Sequence, residues 1–139
     1  MTEVFVFGSN LAGRHGKGAA LHAKQYYGAV YGQGVGAQGS SYAIPTKDHN
    51  LKTLPLREIE VHVHNFLNFL NFTIEHPELT FRVTPIGCSS VDEQLAGYKP
   101  EQILPLFLSW CVDDNGTPLL PENVILPQEL IEVINNDYV

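Results

Sequence analysis

A chain of 139 residues, 44% hydrophobic and 17% charged, has apolar material for one packed domain, residues 1–139, and too little length for two. Its net charge of −7 excludes a general grip on nucleic acid, which needs Lys and Arg clustered against phosphates. A small anion is still compatible, because five of the eight basic residues (Arg14, Lys17, Lys24, Lys47 and Lys52) fall in the first 52 positions.

Residues 4–7, VFVF, form a continuous apolar run stopped by Gly8, the pattern of a strand buried on both faces. Residues 18–27 carry alanines and long side chains without proline, which predicts a short helix reached through a glycine loop. The five glycines of residues 28–41 are too many for a regular element, so this segment reads as an ordered surface loop. SYAIP follows as a second strand, which Pro45 should end because proline cannot donate to a central ladder.

Ile59, Val63, Phe66, Leu67, Leu70 and Ile74 recur at three- and four-residue steps, predicting a long amphipathic helix from near Leu56. His62 and His64, two apart, fall on different faces of it. TFRVTPIGC reads as a third strand closed by Gly87, residues 100–111 as a helix with Pro100 in its first turn, and NVILP as a fourth strand. Strands alternating with helices predict an α/β fold in which a mostly parallel sheet is covered on both sides. Ligands of such folds bind outside the carboxyl ends of the strands. Residues 8–18, 46–50 and 87–97 should therefore meet at one rim, with His15 and His49 the histidines on it.

Each of these strand ends has its own chemistry. GSNLAGRHGKGAA exposes backbone N–H groups and then opens a helix, so an anion can sit against that N-terminus. It fits neither a Walker A motif, since Gly18 follows Lys17 where Ser or Thr should bind magnesium, nor G-x-G-x-x-G. A tight turn between strand and helix is the simpler alternative. In IPTKDH, Lys47 reads as a phosphate contact, an amine nucleophile or a solvated side chain. PIGCSSVDEQLAGY carries Asp92 and Glu93 in another glycine-bounded loop, equally readable as an acidic turn.

Taken in this order, GSN with GRHGKGAA, IPTKDH and IGCSSVDEQLAGY resemble the ligand loops of macro domains, the α/β modules that bind ADP-ribose. The resemblance is to short stand-alone bacterial and phage proteins of that kind. It extends to the branch holding terminal ADP-ribose glycohydrolase and the antitoxin that removes ADP-ribose from DNA. It implies a three-layer α/β/α fold lacking the usual first strands, and with them the acid that contacts adenine. The 28–41 loop would then supply the missing wall, with Tyr31 or Tyr42 available for stacking.

The resemblance also implies the ligand contacts. Asn10 would lie near the distal ribose, with Gly8, Ser9, Gly13, Gly16, Lys17, Gly18 and Ala19 around the ribose and diphosphate. Thr46 would stand beside them, and Gly87, Cys88 and Ser89 would form the opposite phosphate wall. Lys47 falls where the branch has its catalytic lysine, which attacks the anomeric carbon and leaves a covalent sugar adduct. Asp92 is the candidate for the acid that would help resolve that adduct, with Glu93 beside it as the alternative. The implied partner is a small ADP-ribose-like nucleotide, with an ADP-ribosylated protein or nucleic acid as its carrier. A binder without chemistry and an interaction module with no ligand are the alternatives.

No metal or cofactor is expected. The six histidines show no H-E-x-x-H pattern, and Cys88 and Cys111 lack the C-x-x-C spacing of a zinc site. Both cysteines read as reduced thiols. With no basic leader and no apolar stretch of 18 residues, the chain reads as soluble and cytoplasmic, with no membrane contact.

Overall fold

A computed structural model describes residues 2–73, 78–86, 98–108 and 123–137. Among these described residues nine elements follow one another: β1 (Thr2–Asn10), α1 (Gly18–Tyr26), β2 (Gly36–Gln38), β3 (Ser41–Lys47), α2 (Leu56–Thr73), β4 (Leu79–Val83), α3 (Pro100–Leu108), β5 (Val124–Ile125) and α4 (Gln128–Asp137). The five strands form one sheet in the order β2-β3-β1-β4-β5. Every pairing is parallel except that of β2 with β3.

The expected α/β architecture is present, with β1, the strand of the VFVF run, at the centre. Side chains alternate across a strand, so β1 feeds two cores. Val6, with Tyr42 and Ile44 of β3 and Phe81 and Val83 of β4, packs against α2, α3 and α4 through residues such as Ile59, Phe66, Phe107 and Leu130. Phe5 and Phe7 point the other way, onto Ala20 and Ala23 of α1 together with Ala29 and Ala43. The result is a three-layer α/β/α arrangement.

Five elements differ from the sequence reading. Gly8 does not stop β1, which runs on to Asn10 because its ladder with β3 continues through Gly8 and Ser9. The strand expected to close at Gly87 ends at Val83, two residues before Pro85, which has no N–H to extend a ladder. Pro45 does not end β3, which runs on to Lys47. Its ladder with β2 covers only Ser41 to Ala43, so Pro45 lies past the end of that neighbour and no N–H is needed from it. The 28–41 segment contains the short strand β2. Helix α4, on which the reading above is silent, begins directly after Pro127, whose carbonyl accepts the N–H groups of Leu130 and Ile131 at 3.0 and 3.1 Å. Pro105 sits inside α3 on its exposed side, where the carbonyl it leaves without a helical partner can turn to water. Among the described residues no helix is long and apolar enough to cross a membrane.

Candidate functional site

A cleft of about 660 Å³ opens at the carboxyl ends of β1, β3 and β4. Gly8, Ser9 and Asn10 line it from β1, Thr46 and Lys47 from β3, and Thr84, Pro85 and Ile86 from the segment after β4. Gly16, Lys17, Gly18, Ala19 and Ala20 line it from the start of α1, and Arg14, Tyr31 and Leu51 complete it. The first two of the three expected strand ends therefore converge. Gly87, Cys88, Ser89, Asp92 and Glu93 lie outside the described residues, as does the rest of 87–97, although the three residues leading into that segment belong to the cleft.

The loop between β1 and α1 takes its shape from Asn10. This side chain is 8% exposed. Its Oδ1 accepts the N–H of Arg14 at 2.9 Å, and its Nδ2 donates to the Arg14 carbonyl at 3.0 Å. One asparagine thus closes a turn at both ends, so Asn10 shapes the loop while also lining the cleft. Ser9 and Thr46 are buried at the same place. The Ser9 hydroxyl donates to the Gly34 carbonyl, and the Thr46 hydroxyl donates to the Ser9 carbonyl at 3.4 Å.

Gly13 is the one expected ligand residue of this loop that does not line the cleft. It has φ +71, and a Cβ there would fall 2.3 Å from the carbonyl carbon of Gly32. A Cβ on Gly34 would fall 1.9 Å from the Asn10 carbonyl oxygen. The two glycine-rich segments are therefore interlocked backbone to backbone, and the Gly32 N–H donates to the Gly13 carbonyl at 2.8 Å. His15 pins the same joint: its Nε2 lies 3.0 Å from the Gln33 carbonyl and its ring meets Phe7 edge-on at 5.3 Å. This corrects the expectation that His15 stands on the rim. It is 0% exposed, with its Nδ1 buried and without a partner, because the 28–41 segment folds over it.

Gly16 and Gly18 behave differently from Gly13, since a Cβ on either would meet nothing within 4 Å. Open space at these glycines is room for something to approach the backbone. Helix α1 begins there with Lys17 as its N-cap residue, no side-chain cap and no acid in its first turn. Its first N–H groups and the positive end of its dipole are thus left for an acceptor from outside the chain. Arg14, Lys17 and Lys47 all line the same cleft, and among its described lining residues there is no carboxylate. A protein of net charge −7 therefore brings three cations together at this cleft.

Lys47 is half-buried at the last position of β3, and its carbonyl accepts the N–H of Leu11 at 2.9 Å. The turn that follows is built on Asp48. Its Oδ1 accepts the N–H groups of Asn50 at 2.8 Å and Lys52 at 3.0 Å. Those N–H groups, that of Lys52 first, hold the Asp48 carboxyl below its usual range. His49 is exposed on this turn.

Of the two tyrosines considered for stacking, Tyr42 is 7% exposed and packed between Phe66 and Phe69 in the core, with ring centroids 5.0 and 5.2 Å away. It is unavailable to a ligand, whereas Tyr31 lines the cleft at 58% exposure. Ala20, Leu51 and the 84–86 segment are cleft residues that the sequence reading does not single out, and Arg14 is named there only among the cations of the first 52 positions. Arg14 lay within the quoted glycine loop and carried a signal. Leu51 carried none, since no rule marks a leucine in a polar turn as a cleft residue. Among the described residues no three His, Cys, Asp or Glu side chains are grouped to hold a metal ion.

Comparisons with protein-family models, with curated proteins and with solved structures find no match.

Proposed function

We propose that the chain binds ADP-ribose or a related nucleotide in this cleft, with its phosphates against the start of α1. The observation that carries this reading is the convergence of an uncapped helix N-terminus, open glycines and three cations on one concavity at the carboxyl edge of the sheet. Backbone N–H groups at a helix start combine with the dipole to favour phosphate. A volume of about 660 Å³ lies within the range of small-molecule sites. The resemblance of GSN, GRHGKGAA and IPTKDH to macro-domain loops supports the same ligand class.

Turnover is a second reading, favoured by the half-buried Lys47 at the cleft. Its amine would attack the anomeric carbon of a linked ribose, and the bond to the modified group would break with its electron pair leaving on that group. Water would then release the sugar, with a carboxylate such as Asp92 taking the proton. The carrier would be an ADP-ribosylated protein or nucleic acid.

Thermal-shift and calorimetric titration with ADP-ribose, NAD and AMP tests the binding reading, since a ligand held only by the native state raises the melting temperature. No shift at millimolar ligand overturns it in favour of an interaction module. For turnover, borohydride should trap a sugar adduct on the wild type and none on Lys47→Ala. Binding without release of ADP-ribose from any carrier leaves a non-catalytic binder.

A further inference from the structure

The cleft has a second chemical character at Tyr31 and Leu51. Both side chains are large and apolar, both line it, and they are 58% and 43% exposed. Leu51 is also the one described non-glycine residue with a positive φ, +63, a conformation a leucine holds only when its surroundings impose it. Here they do. The Leu51 N–H donates to the Asp48 carbonyl at 3.1 Å, the Asp48 N–H to the Lys52 carbonyl at 2.8 Å, and Lys47 bridges to Thr53 across the turn. A turn built this firmly presents an apolar side chain to water where Asn or Gly would fit the backbone better.

Tyr31 is held as firmly. The Lys24 ammonium lies 5.2 Å from its ring centroid, and His15 meets the ring edge-on at 6.4 Å. Its loop is tied to the β1–α1 turn by the Gly32 to Gly13 hydrogen bond. The ring is more than half exposed and lines the cleft, and a cation over one face strengthens it as a platform for a flat partner on the other. An aromatic platform of this kind tolerates any base, because every base has a π-face.

We propose that Tyr31 and Leu51 form the base-binding part of the cleft, Tyr31 stacking on the adenine of an ADP-ribose-type ligand and Leu51 packing against it. This rests on the nucleotide reading above. It assigns the base to the 28–41 and 47–53 loops.

Isothermal titration of the wild type, Tyr31→Ala, Tyr31→Phe and Leu51→Asn with ADP-ribose and with ribose 5-phosphate tests it. Tyr31→Ala should weaken ADP-ribose about tenfold or more and leave the base-free ribose 5-phosphate within about twofold of wild type. Tyr31→Phe should retain affinity for both. Leu51→Asn should weaken ADP-ribose while melting at the same temperature or higher, since asparagine tolerates a positive φ. Wild-type affinity for ADP-ribose that survives both Tyr31→Ala and Leu51→Asn overturns this assignment and spares the nucleotide reading. Equal loss of both probes in Tyr31→Ala also overturns it, since the ring then supports the loop and not the base. A wild type that binds neither probe overturns both readings together.

Discussion

Against one face of the sheet, α2, α3 and α4 press Ile59, Phe66, Ile103, Phe107 and Leu130, all at 0% exposure, whereas against the other α1 presses Ala20 and Ala23. Large side chains interlock and bury most of the apolar area, so the first face carries the stability. Alanines let a helix backbone come close to the strands, and the interlocked Gly13 and Gly34 bring two loops closer still. The second face carries position, and the cleft draws more of its wall from that side. Damage to the two faces should therefore read out differently.

The largest effect belongs to Phe66→Ala. The ring lies 5.0 Å from Tyr42 and 5.8 Å from Phe81, and emptying its place should cost about 3–5 kcal/mol in urea unfolding. Ligand affinity of the fraction that folds should be unchanged. Gly34→Ala inverts the pattern. One methyl placed 1.9 Å from the Asn10 carbonyl oxygen and 3.1 Å from the Gly13 nitrogen should cost about 1–3 kcal/mol and should also weaken ADP-ribose binding, because Asn10, which lines the cleft, must move. Unchanged affinity in Gly34→Ala would break the division between the faces.

A gain in stability sharpens it further. Lys17 is the N-cap of α1 without a side-chain acceptor, so Lys17→Asp should add about 1 kcal/mol by capping the helix. The same substitution should abolish anion binding, leaving a chain that melts later and binds nothing.

The smallest effect concerns the polar exception on the large face, His62 of α2. Burial pushes its imidazole below the usual 6.5, partly opposed by the charge of Glu58, and its Nδ1 is buried without a partner. The unfolded chain therefore takes up this proton first as pH falls. Stability from this group is fully present above about pH 6.5 and declines as pH drops from there through the folded-state value. Urea midpoints at neutral and mildly acid pH should differ more for the wild type than for His62→Gln.

Elements with a strong period were legible before folding. The VFVF run became the central strand, and the Ile59-to-Leu67 spacing became the buried stripe of α2. Features that depend on tertiary partners were not. Nothing in Gly36-Ala37-Gln38 signals a strand, because β2 exists only through its pairing with β3. His15 looked like a rim residue until the 28–41 segment was seen to cover it. The cleft was half legible: glycines and cations mark a phosphate loop by composition, whereas Leu51 enters through a turn geometry that no period encodes.

The clasp between Gly13 and Gly34 has a consequence for how this chain can vary. Adding or deleting a residue on one side would shift its partner out of reach, and the pocket would lose two borders at once. Residues 11–16 and 30–35 should thus accept changed side chains at their outward positions yet hold their lengths in step, as two halves of one hinge pin.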